Sequence, residues 1–158
     1  MTTKHDYDDD YGTCLDTYGT VRVFSDALSP ERISAALGVE PTHSFKKGDL
    51  KAQHKVVTIP RHPTNGWFYS TKGQSTSRDC RRHLDMLIER VLTNVEAIAD
   101  LRRQGCDIDL TVFYSYTQGG PTISPAQMRS LAAAGVDVWW DLYRASEDEA
   151  GSARDAGA

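Results

Sequence analysis

The stretch Val21-Arg-Val-Phe-Ser-Asp-Ala-Leu-Ser-Pro-Glu-Arg-Ile-Ser-Ala-Ala-Leu-Gly38 predicts a strand that runs into a short helix with both ends marked. Ser29 is a suitable N-cap, because its hydroxyl can accept a hydrogen bond from the first turn of the helix. Pro30 follows at the first helical position, where no N–H group is needed. Gly38 can adopt the left-handed conformation that ends many helices. These signals predict a helix that begins at Pro30 and ends before Gly38.

A second stretch, residues 110–135, repeats the same signals in the same order. Ser124 stands at the N-cap, Pro125 at the first helical position and Gly135 at the end. Gln127 adds the partner for a capping box with Ser124. In both stretches an apolar pair is placed to form a hydrophobic staple: Leu28 with Ile33, and Ile123 with Met128. The repetition indicates either an internal duplication or independent use of common capping residues. Both alternatives predict two strand–loop–helix units.

Between these units, the sequence predicts a hairpin and a long helical region. Residues 55–59 alternate as a strand, residues 61–66 carry turn chemistry, and residues 67–71 are aromatic and suited to a strand. An amphipathic stripe then predicts a helix from residue 76 or 77 to Gly105. The stripe consists of Cys80, Leu84, Leu87, Ile88, Val91, Val95 and Ile98. Thr93 begins a capping-box pattern, so we expect this helix to break near Thr93.

Two further segments, residues 107–116 and 137–143, alternate between apolar and polar side chains, and a first strand is expected over residues 18–25. Such alternation is typical of strands with one buried face and favours an antiparallel sheet. In the last strand, the side chains expected in the core are Val138, Trp140 and Leu142. Trp139 is expected to be at least partly exposed. The sequence therefore predicts an α+β fold, with helices packed on one face of a mainly antiparallel sheet.

The composition is that of an ordinary globular protein. The chain has 158 residues, of which 25% are charged and 39% hydrophobic, which suits one domain with one core. Residues 17–144 are expected to form this domain. Residues 1–16, which are acidic, and residues 145–158, which are rich in small and charged side chains, are expected to be flexible tails. No apolar run approaches the ~20 residues of a membrane span, so no membrane association is expected.

The cysteines favour a reducing environment. Cys14, Cys80 and Cys106 are odd in number, widely spaced and free of any C-x-x-C pair. This pattern argues against both a disulfide framework and a zinc site. The N-terminal residues also lack the apolar segment of a secretory signal. We therefore expect a cytoplasmic protein, and no metal or other cofactor is predicted.

A set of short motifs occurs in a fixed order along residues 20–143. It consists of the run from Leu28 to Thr42, the pair Lys47-Gly48, Trp67, and the closing pattern from Leu131 to Tyr143. In order and spacing, these motifs resemble a bacterial family known only as domain of unknown function 4279. The resemblance implies an α+β domain. It implies no catalytic residues, because none are established for the family.

Three aspartates could lie close together on the exposed face of the sheet: Asp109, Asp137 and Asp141. Paired carboxylates can perform acid–base chemistry or hold a cation. A solvated strand face is the plainer interpretation, because the chain has no G-x-S-x-G, no glycine-rich phosphate loop and no cysteine in an activating context. No catalytic or metal-binding residue is predicted. A small metal-dependent or acid–base enzyme that uses this acidic face is the alternative hypothesis.

The middle of the chain is basic: residues 41–103 contain 12 Lys or Arg against 6 Asp or Glu, whereas both flanks are acidic. A long connection within it carries a candidate docking site for an acidic protein or another anionic ligand. Its residues are Lys46, Lys47, Gly48, Lys51, Lys55 and Trp67. Gly48 would act as a pivot and Trp67 as an apolar anchor. The plainer alternative is a solvated loop with Trp67 in the core.

Nucleic-acid binding is a weaker hypothesis. Trp67, Phe68 and Tyr69 could stack on bases, but the RNA-recognition consensus is absent and the pI is about 5.7 rather than above about 9. The sequence therefore favours a non-enzymatic module that binds a protein or a ligand. One specific form is an immunity-type protein, which neutralises a toxin by covering its surface. That form rests on analogy with other small acidic α+β proteins.

Overall fold

A five-stranded sheet forms the centre of the fold. The structure is a computed structural model that describes residues 6–52 and 60–155. The strands are β1 (Cys14–Ser25), β2 (His43–Phe45), β3 (Asn65–Ser70), β4 (Asp107–Tyr116) and β5 (Asp137–Arg144). Their order in the sheet is β2-β3-β1-β4-β5, and every neighbouring pair is antiparallel except β4 and β5, which are parallel. The predicted α+β fold with a mainly antiparallel sheet is confirmed.

Helices cover one face of this sheet. They are α1 (Pro30–Leu37), α2 (Cys80–Leu87), α3 (Val95–Arg103) and α4 (Pro125–Ala134), with a π-helical segment, Ile88–Leu92, between α2 and α3. A fifth helix, α5 (Glu147–Asp155), follows β5. In β1 and β4, every second side chain is buried in the core, including Val21, Val23, Leu110 and Val112. The alternate side chains of both strands stay partly exposed on the second face of the sheet.

Both repeated stretches build a β–α–β unit. In the second unit, β4 is followed by α4 and then by β5, which lies beside β4 and parallel to it. In the first unit, β1 is followed by α1 and β2. Because β3 pairs antiparallel with both strands, β2 runs parallel to β1 with β3 between them. The repeated capping signals therefore mark the two places where the chain leaves the sheet, forms a helix and returns in the same direction.

The helix ends follow the predicted signals with one exception. The capping box at Ser124 is complete, and Gly38 and Gly135 adopt left-handed conformations with φ of 70° and 63°. Ser29 has the extended backbone of an N-cap, but its side chain makes no capping hydrogen bond. Its hydroxyl instead contributes to lowering the pKa of the Glu31 carboxylate. The prediction that the Ser29 hydroxyl caps α1 is therefore wrong, although the helix begins where expected.

The long helical region breaks near Thr93, as predicted. It begins later than residue 76 or 77, because α2 starts after Asp79, whose carboxylate caps the first turn. The π-helical segment follows α2 directly, and α3 begins after Asn94, whose side-chain oxygen accepts from the third amide beyond it. Asn94 thus takes the capping role that the sequence pattern assigned to Thr93.

The N-terminal residues 6–13 pack against α2. The Asp9 carboxylate forms a two-point ion pair with the Arg82 guanidinium at 2.6 and 2.7 Å. The Tyr7 hydroxyl donates to Asp85 at 2.6 Å, and the Arg82 guanidinium lies 4.1 Å from the centre of the Tyr7 ring. These residues, which were expected to belong to a flexible tail, therefore have charged partners on α2.

The C-terminal boundary of the domain also differs from the expectation. Ala145 continues the pairing of β5 by donating its N–H to the Tyr116 carbonyl at 2.8 Å. The Ser146 hydroxyl then accepts from the first turn of α5, and Ala150 is buried. A helix, α5, thus spans most of the segment that was expected to be a flexible tail.

The expected hairpin is described only in part. β3 confirms a strand, which begins at Asn65, but its expected partner strand, residues 55–59, lies outside the described residues. β3 pairs with β2, a three-residue strand that was not predicted from the sequence. The connection between them includes an antiparallel bridge between Leu50 and Arg61.

β5 is an edge strand, and its core-facing residues are less buried than expected. Its register against β4 places Val138, Trp140 and Leu142 on the helix side, as predicted. Trp140 is nevertheless 37% exposed and Leu142 49% exposed, while Trp139 on the other side is 60% exposed. The prediction that Trp140 and Leu142 are core residues is therefore wrong, because the helical layer does not enclose this edge of the sheet.

Candidate functional site

The side of the sheet opposite the helical layer carries a row of aromatic rings. Side chains that alternate with the core residues of β1, β3, β4 and β5 lie on this side. These side chains form the open face of the sheet: Tyr18, Thr20, Arg22, Phe24, Phe68, Asp109, Thr111, Phe113, Asp137, Trp139, Asp141 and Tyr143. Contiguous aromatic surface of this kind is typical of a binding site.

The rings of the open face contact one another across the strands. Tyr18 on β1 stacks on Phe113 on β4 with 4.8 Å between ring centres, and Phe113 lies 5.2 Å from Tyr143 on β5. Phe24 and Phe68 meet edge to face at 5.4 Å. Aromatic cross-strand pairs stabilise a sheet, and here their outer surfaces remain accessible. The rings therefore form a rigid apolar platform.

An ion pair occupies the centre of the open face. Arg22 on β1 lies opposite Asp109 on β4, and its Nε and Nη2 atoms donate to the two carboxylate oxygens at 2.7 Å each. The hydrogen bonds to Asp109 raise the pKa of Arg22. Two-point pairs of this kind are strong and fixed in geometry. Asp109 is thus held by a guanidinium and is not a free base.

The other carboxylates on this side do not converge. Asp137 lies beside Asp109 in the register of β4 and β5, and Asp141 lies four residues farther along β5. At ~3.3 Å per residue, Asp137 and Asp141 are roughly 13 Å apart, too far to share one cation. Across residues 6–52 and 60–155, no group of three or more His, Cys, Asp or Glu side chains is placed to hold a metal ion. The acidic residues are therefore separate surface charges.

A shallow groove crosses the open face between β1 and β5. Its volume is about 490 Å³, and its lining includes Tyr18, Arg22, Phe113, Trp139 and Asp141. This volume lies within the range of small-molecule sites. The groove combines aromatic surface with an exposed carboxylate, which suits an apolar group that carries a positive charge.

A second aromatic cluster continues this side of the sheet onto β2. The Phe45 ring covers Gly66 so closely that a Cβ at Gly66 would collide with it. Phe45 also stacks on His62 with 3.5 Å between ring centres and lies 5.5 Å from Phe68. The sequence did not predict this cluster, because β2 has only three residues, too few for a strand pattern. The available signal was Gly66 itself, since a glycine inside an aromatic strand often lies under a ring from the next strand.

Two lysines of the predicted docking loop form ion pairs within the chain. The Lys46 ammonium lies 2.8 Å from the Glu31 carboxylate, and the Lys47 ammonium lies 2.9 Å from Asp26. The hydrogen bond from Lys46 lowers the pKa of Glu31 to about 2. These lysines therefore fold back toward α1 and do not add a free positive field.

The rest of that predicted site does not form one surface. Gly48 takes the left-handed conformation of a turn, with φ of 87°, and Lys51 is half-buried. Lys55 lies outside the described residues. Trp67 is completely buried, and its indole N–H donates to the Ser34 hydroxyl of α1 at 3.0 Å. The hypothesis that Trp67 is an exposed anchor is wrong, and the alternative, a tryptophan in the core, is correct.

The buried thiols and the buried histidine are structural groups. Burial raises the pKa of both Cys14 and Cys80 to about 11, and a protonated thiol is a poor nucleophile. This holds even though Cys80 borders a cavity of about 260 Å³. His83 is fully buried between Thr71 and the Ser77 carbonyl, and burial lowers its pKa. None of these three side chains has the setting of a catalytic group.

Comparison with protein families gives one match. The family described as domain of unknown function (DUF4279) matches residues 17–145. Neither the curated proteins nor the solved structures contain a match to this chain. The resemblance carried by the sequence motifs is therefore confirmed. Across residues 6–52 and 60–155, no helix has both the length and the apolar run that crossing a membrane requires.

Proposed function

We propose that this chain, which belongs to the family of domain of unknown function 4279, is a non-enzymatic binding module. Its partner is a protein segment with basic and apolar side chains, and it docks on the open face. The observation that carries this proposal is the combination of an accessible aromatic platform with exposed carboxylates around it. The platform supplies apolar contact, and the carboxylates select the charge of the partner.

The rings of the open face already bind cations of the chain itself. The Lys72 ammonium lies 5.0 Å from the centre of the Tyr18 ring, and the Arg22 guanidinium lies 5.6 Å from the centre of Phe24. Contacts at this distance are attractive because the face of an aromatic ring is electron-rich. Trp139, which is 60% exposed, offers a further ring to lysine or arginine side chains of a partner.

The charges on this side of the sheet favour the same partner. The exposed carboxylates are Asp16, Asp107, Asp137 and Asp141. Arg22 is already paired with Asp109, so it does not offset them, and Lys72 beside Tyr18 offsets one of the four charges. The resulting negative field attracts a basic segment and repels phosphate groups. This partner chemistry is opposite to that expected for the lysine loop, where Lys46 and Lys47 pair within the chain.

The positions of the carboxylates also argue against the alternative, a metal-dependent or acid–base enzyme. Such an enzyme needs two carboxylates, or a carboxylate and a metal, at one reacting atom. Asp109 is held by Arg22, and Asp137 and Asp141 are separated along β5. The acidic residues support recognition of positive charge and give little support to catalysis.

Magnesium, calcium, manganese and zinc ions are each expected to leave the melting temperature unchanged. The reason is that the exposed aspartates are too far apart to chelate one ion. Thermal unfolding with each ion measures this, because a ligand that binds only the native state must raise stability. A rise of several degrees that Asp141→Asn abolishes, and that Asp148→Asn on α5 retains, would contradict the prediction.

An immunity-type protein is one specific form of this proposal. A rigid, accessible face on a small acidic domain suits the covering of a toxin surface. Three free and buried thiols suit the reducing cytoplasm in which such a protein would act. A toxin gene beside the gene for this chain, together with protection of cells that express both, would support this form. A neighbouring toxin that kills equally with and without this chain would exclude it.

Two sets of labelled peptides test the partner chemistry. The sets share the same apolar residues and carry either Lys and Arg or Asp and Glu at the charged positions, and binding is followed by fluorescence anisotropy. We expect the basic set to bind and the acidic set to bind at least about tenfold more weakly, because exposed charges of one sign fill the margin of the open face. The affinity for the basic set should fall as salt increases.

Substitutions on the open face locate the site. Phe113→Ala and Trp139→Ala are each expected to weaken binding of the basic peptides about tenfold or more, as is usual for a central aromatic contact. Met128→Ala is the matched control, because Met128 is an exposed apolar residue on α4. Full affinity in both aromatic variants, or equal affinity for both peptide sets, would overturn the proposal.

A further inference from the structure

The two edges of the sheet differ in their protection against pairing with another strand. β2, at one edge, has three residues, and so short an edge offers few backbone groups. β5, at the other edge, has eight residues. It carries three charged residues, Asp137, Asp141 and Arg144, but it contains no proline, no lysine and no bulge against β4, which are among the usual devices that keep an edge strand unpaired. β5 is therefore a long edge that is open to pairing.

The outward backbone groups of β5 belong to its even-numbered residues. Ala145 donates its N–H to Tyr116 of β4, and the direction of the backbone groups alternates along a strand. The residues that direct their N–H and C=O groups away from β4 are therefore Val138, Trp140, Leu142 and Arg144. Within the part of the chain that the structure describes, no hydrogen bond reaches these groups.

β5 also exposes apolar side chains on both sides of the sheet. Trp139 and Tyr143 are 60% and 52% exposed on the open face, and Trp140 and Leu142 are 37% and 49% exposed on the helix side. An aromatic side chain can bury about 150–250 Å², so these four residues expose on the order of 400 Å² in one copy. Two copies, with their backbone, could bury at most roughly 800–1,000 Å², which is the size of a weak interface.

We propose that β5 pairs antiparallel with β5 of a second copy of this chain and joins two five-stranded sheets into one. The copies are related by a twofold axis perpendicular to the sheet, so that both helical layers lie on the same side. Residues that face each other across an antiparallel pair point to the same side. Even-numbered residues of β5 must therefore face even-numbered residues of the second copy.

The charges of β5 disfavour the register that is centred on Asp141. When Trp140 faces Trp140 of the second copy, Leu142 faces Val138, and the odd-numbered Trp139 faces Asp141. When the axis passes through Asp141 instead, two carboxylates face each other directly, which destabilises a sheet. The register centred on Trp140 avoids this contact. It also covers the side chains of Trp140 and Leu142 that the helical layer leaves exposed.

Cysteine cross-linking of the full chain tests the register. Trp140→Cys places two Cα atoms about 5.5 Å apart across the axis, within the range of a disulfide. Trp139→Cys is the matched control: it is offset by two residues from its copy, which puts its Cα atoms about 8 Å apart, beyond that range. The three native cysteines are buried. We expect a covalent dimer from Trp140→Cys alone, and equal or reversed yields would overturn this register.

Sedimentation equilibrium of the unaltered chain tests the dimer independently of any cross-link. The average mass is expected to rise toward twice the monomer mass as concentration increases. Leu142→Lys adds a charge to the exposed helix side of β5 and should weaken association at least about tenfold. Its melting curve at low concentration shows whether it is folded. A chain that stays monomeric up to about 1 mM, or a dimer that a folded Leu142→Lys variant retains unchanged, would overturn the proposal.

Discussion

Replacing Trp67 with alanine is expected to lower the free energy of unfolding by about 3–5 kcal/mol, the usual cost of removing a buried tryptophan or phenylalanine. Trp67 has no exposed surface and stands on β3 beneath α1. The substitution leaves a cavity and removes the donor that binds the Ser34 hydroxyl. Chemical denaturation measures the change, with an unaltered slope as the sign that both states are comparable.

The other two tryptophans are matched controls in the same chain. Trp139→Ala is expected to cost less than about 1 kcal/mol, because the side chain is mostly exposed. Trp140→Ala should fall between the two, at about 1–2 kcal/mol, since the helical layer covers only part of it. These unfolding measurements should be made at low protein concentration, where association through β5 does not add to the free energy of unfolding. A Trp139 variant that unfolds while the Trp140 variant melts like the parent would show that the register of β5 is inverted.

Local chemistry explains why the fold class could be predicted from the sequence. The capping box at Ser124 and the left-handed Gly38 and Gly135 act within a few residues of themselves, so their effect is visible in the sequence. The alternation along β4 likewise depends only on the period of a strand. Leu110 and Val112 are buried as that pattern predicts.

The position of a strand within a sheet is not visible in its own pattern. β5 alternates much as β4 does, yet β4 is covered and β5 is an edge. Trp140 therefore lies on the predicted side but keeps more than a third of its surface exposed. What decides its burial is how far the helical layer extends over the sheet, which the pattern of β5 itself does not encode.

The docking site predicted from the lysines was misplaced for the same reason: contacts between distant parts of the sequence decide which charges remain free. A run of lysines predicts a positive surface only if no acidic side chain reaches it, and Glu31 and Asp26 reach Lys46 and Lys47 across the fold. The Asp9–Arg82 pair, which holds the N-terminal residues against α2, joins positions 73 residues apart. Such pairings are set by topology, so a charged segment of sequence is a poor guide to a charged surface.

A buried histidine is expected to make stability depend on pH. His83 has no exposed surface; its Nε2 atom lies 2.9 Å from the Ser77 carbonyl and its Nδ1 atom 2.7 Å from the Thr71 hydroxyl. Because a carbonyl can only accept, Nε2 carries the proton and Nδ1 accepts from Thr71. Burial lowers the pKa of His83, so the ring is neutral in the folded protein at about pH 7.

In the unfolded chain a histidine titrates near pH 6.5, so below that pH the unfolded state binds a proton that the folded state excludes. Stability is therefore expected to fall as the pH decreases from about 7 to about 5.5, by at most ~1.4 kcal/mol per pH unit. Chemical denaturation at these pH values measures how the free energy of unfolding changes with pH.

His83→Gln should reduce this pH dependence. It should also lower the free energy of unfolding by about 2–4 kcal/mol at pH ~7, because the hydrogen bonds to Thr71 and Ser77 are disturbed in the core. His43→Gln, at an exposed histidine on β2, is the matched control and should keep the slope of the parent. Equal stability of the parent at both pH values, or a full slope in a folded His83→Gln variant, would show that His83 is not the neutral core group described above.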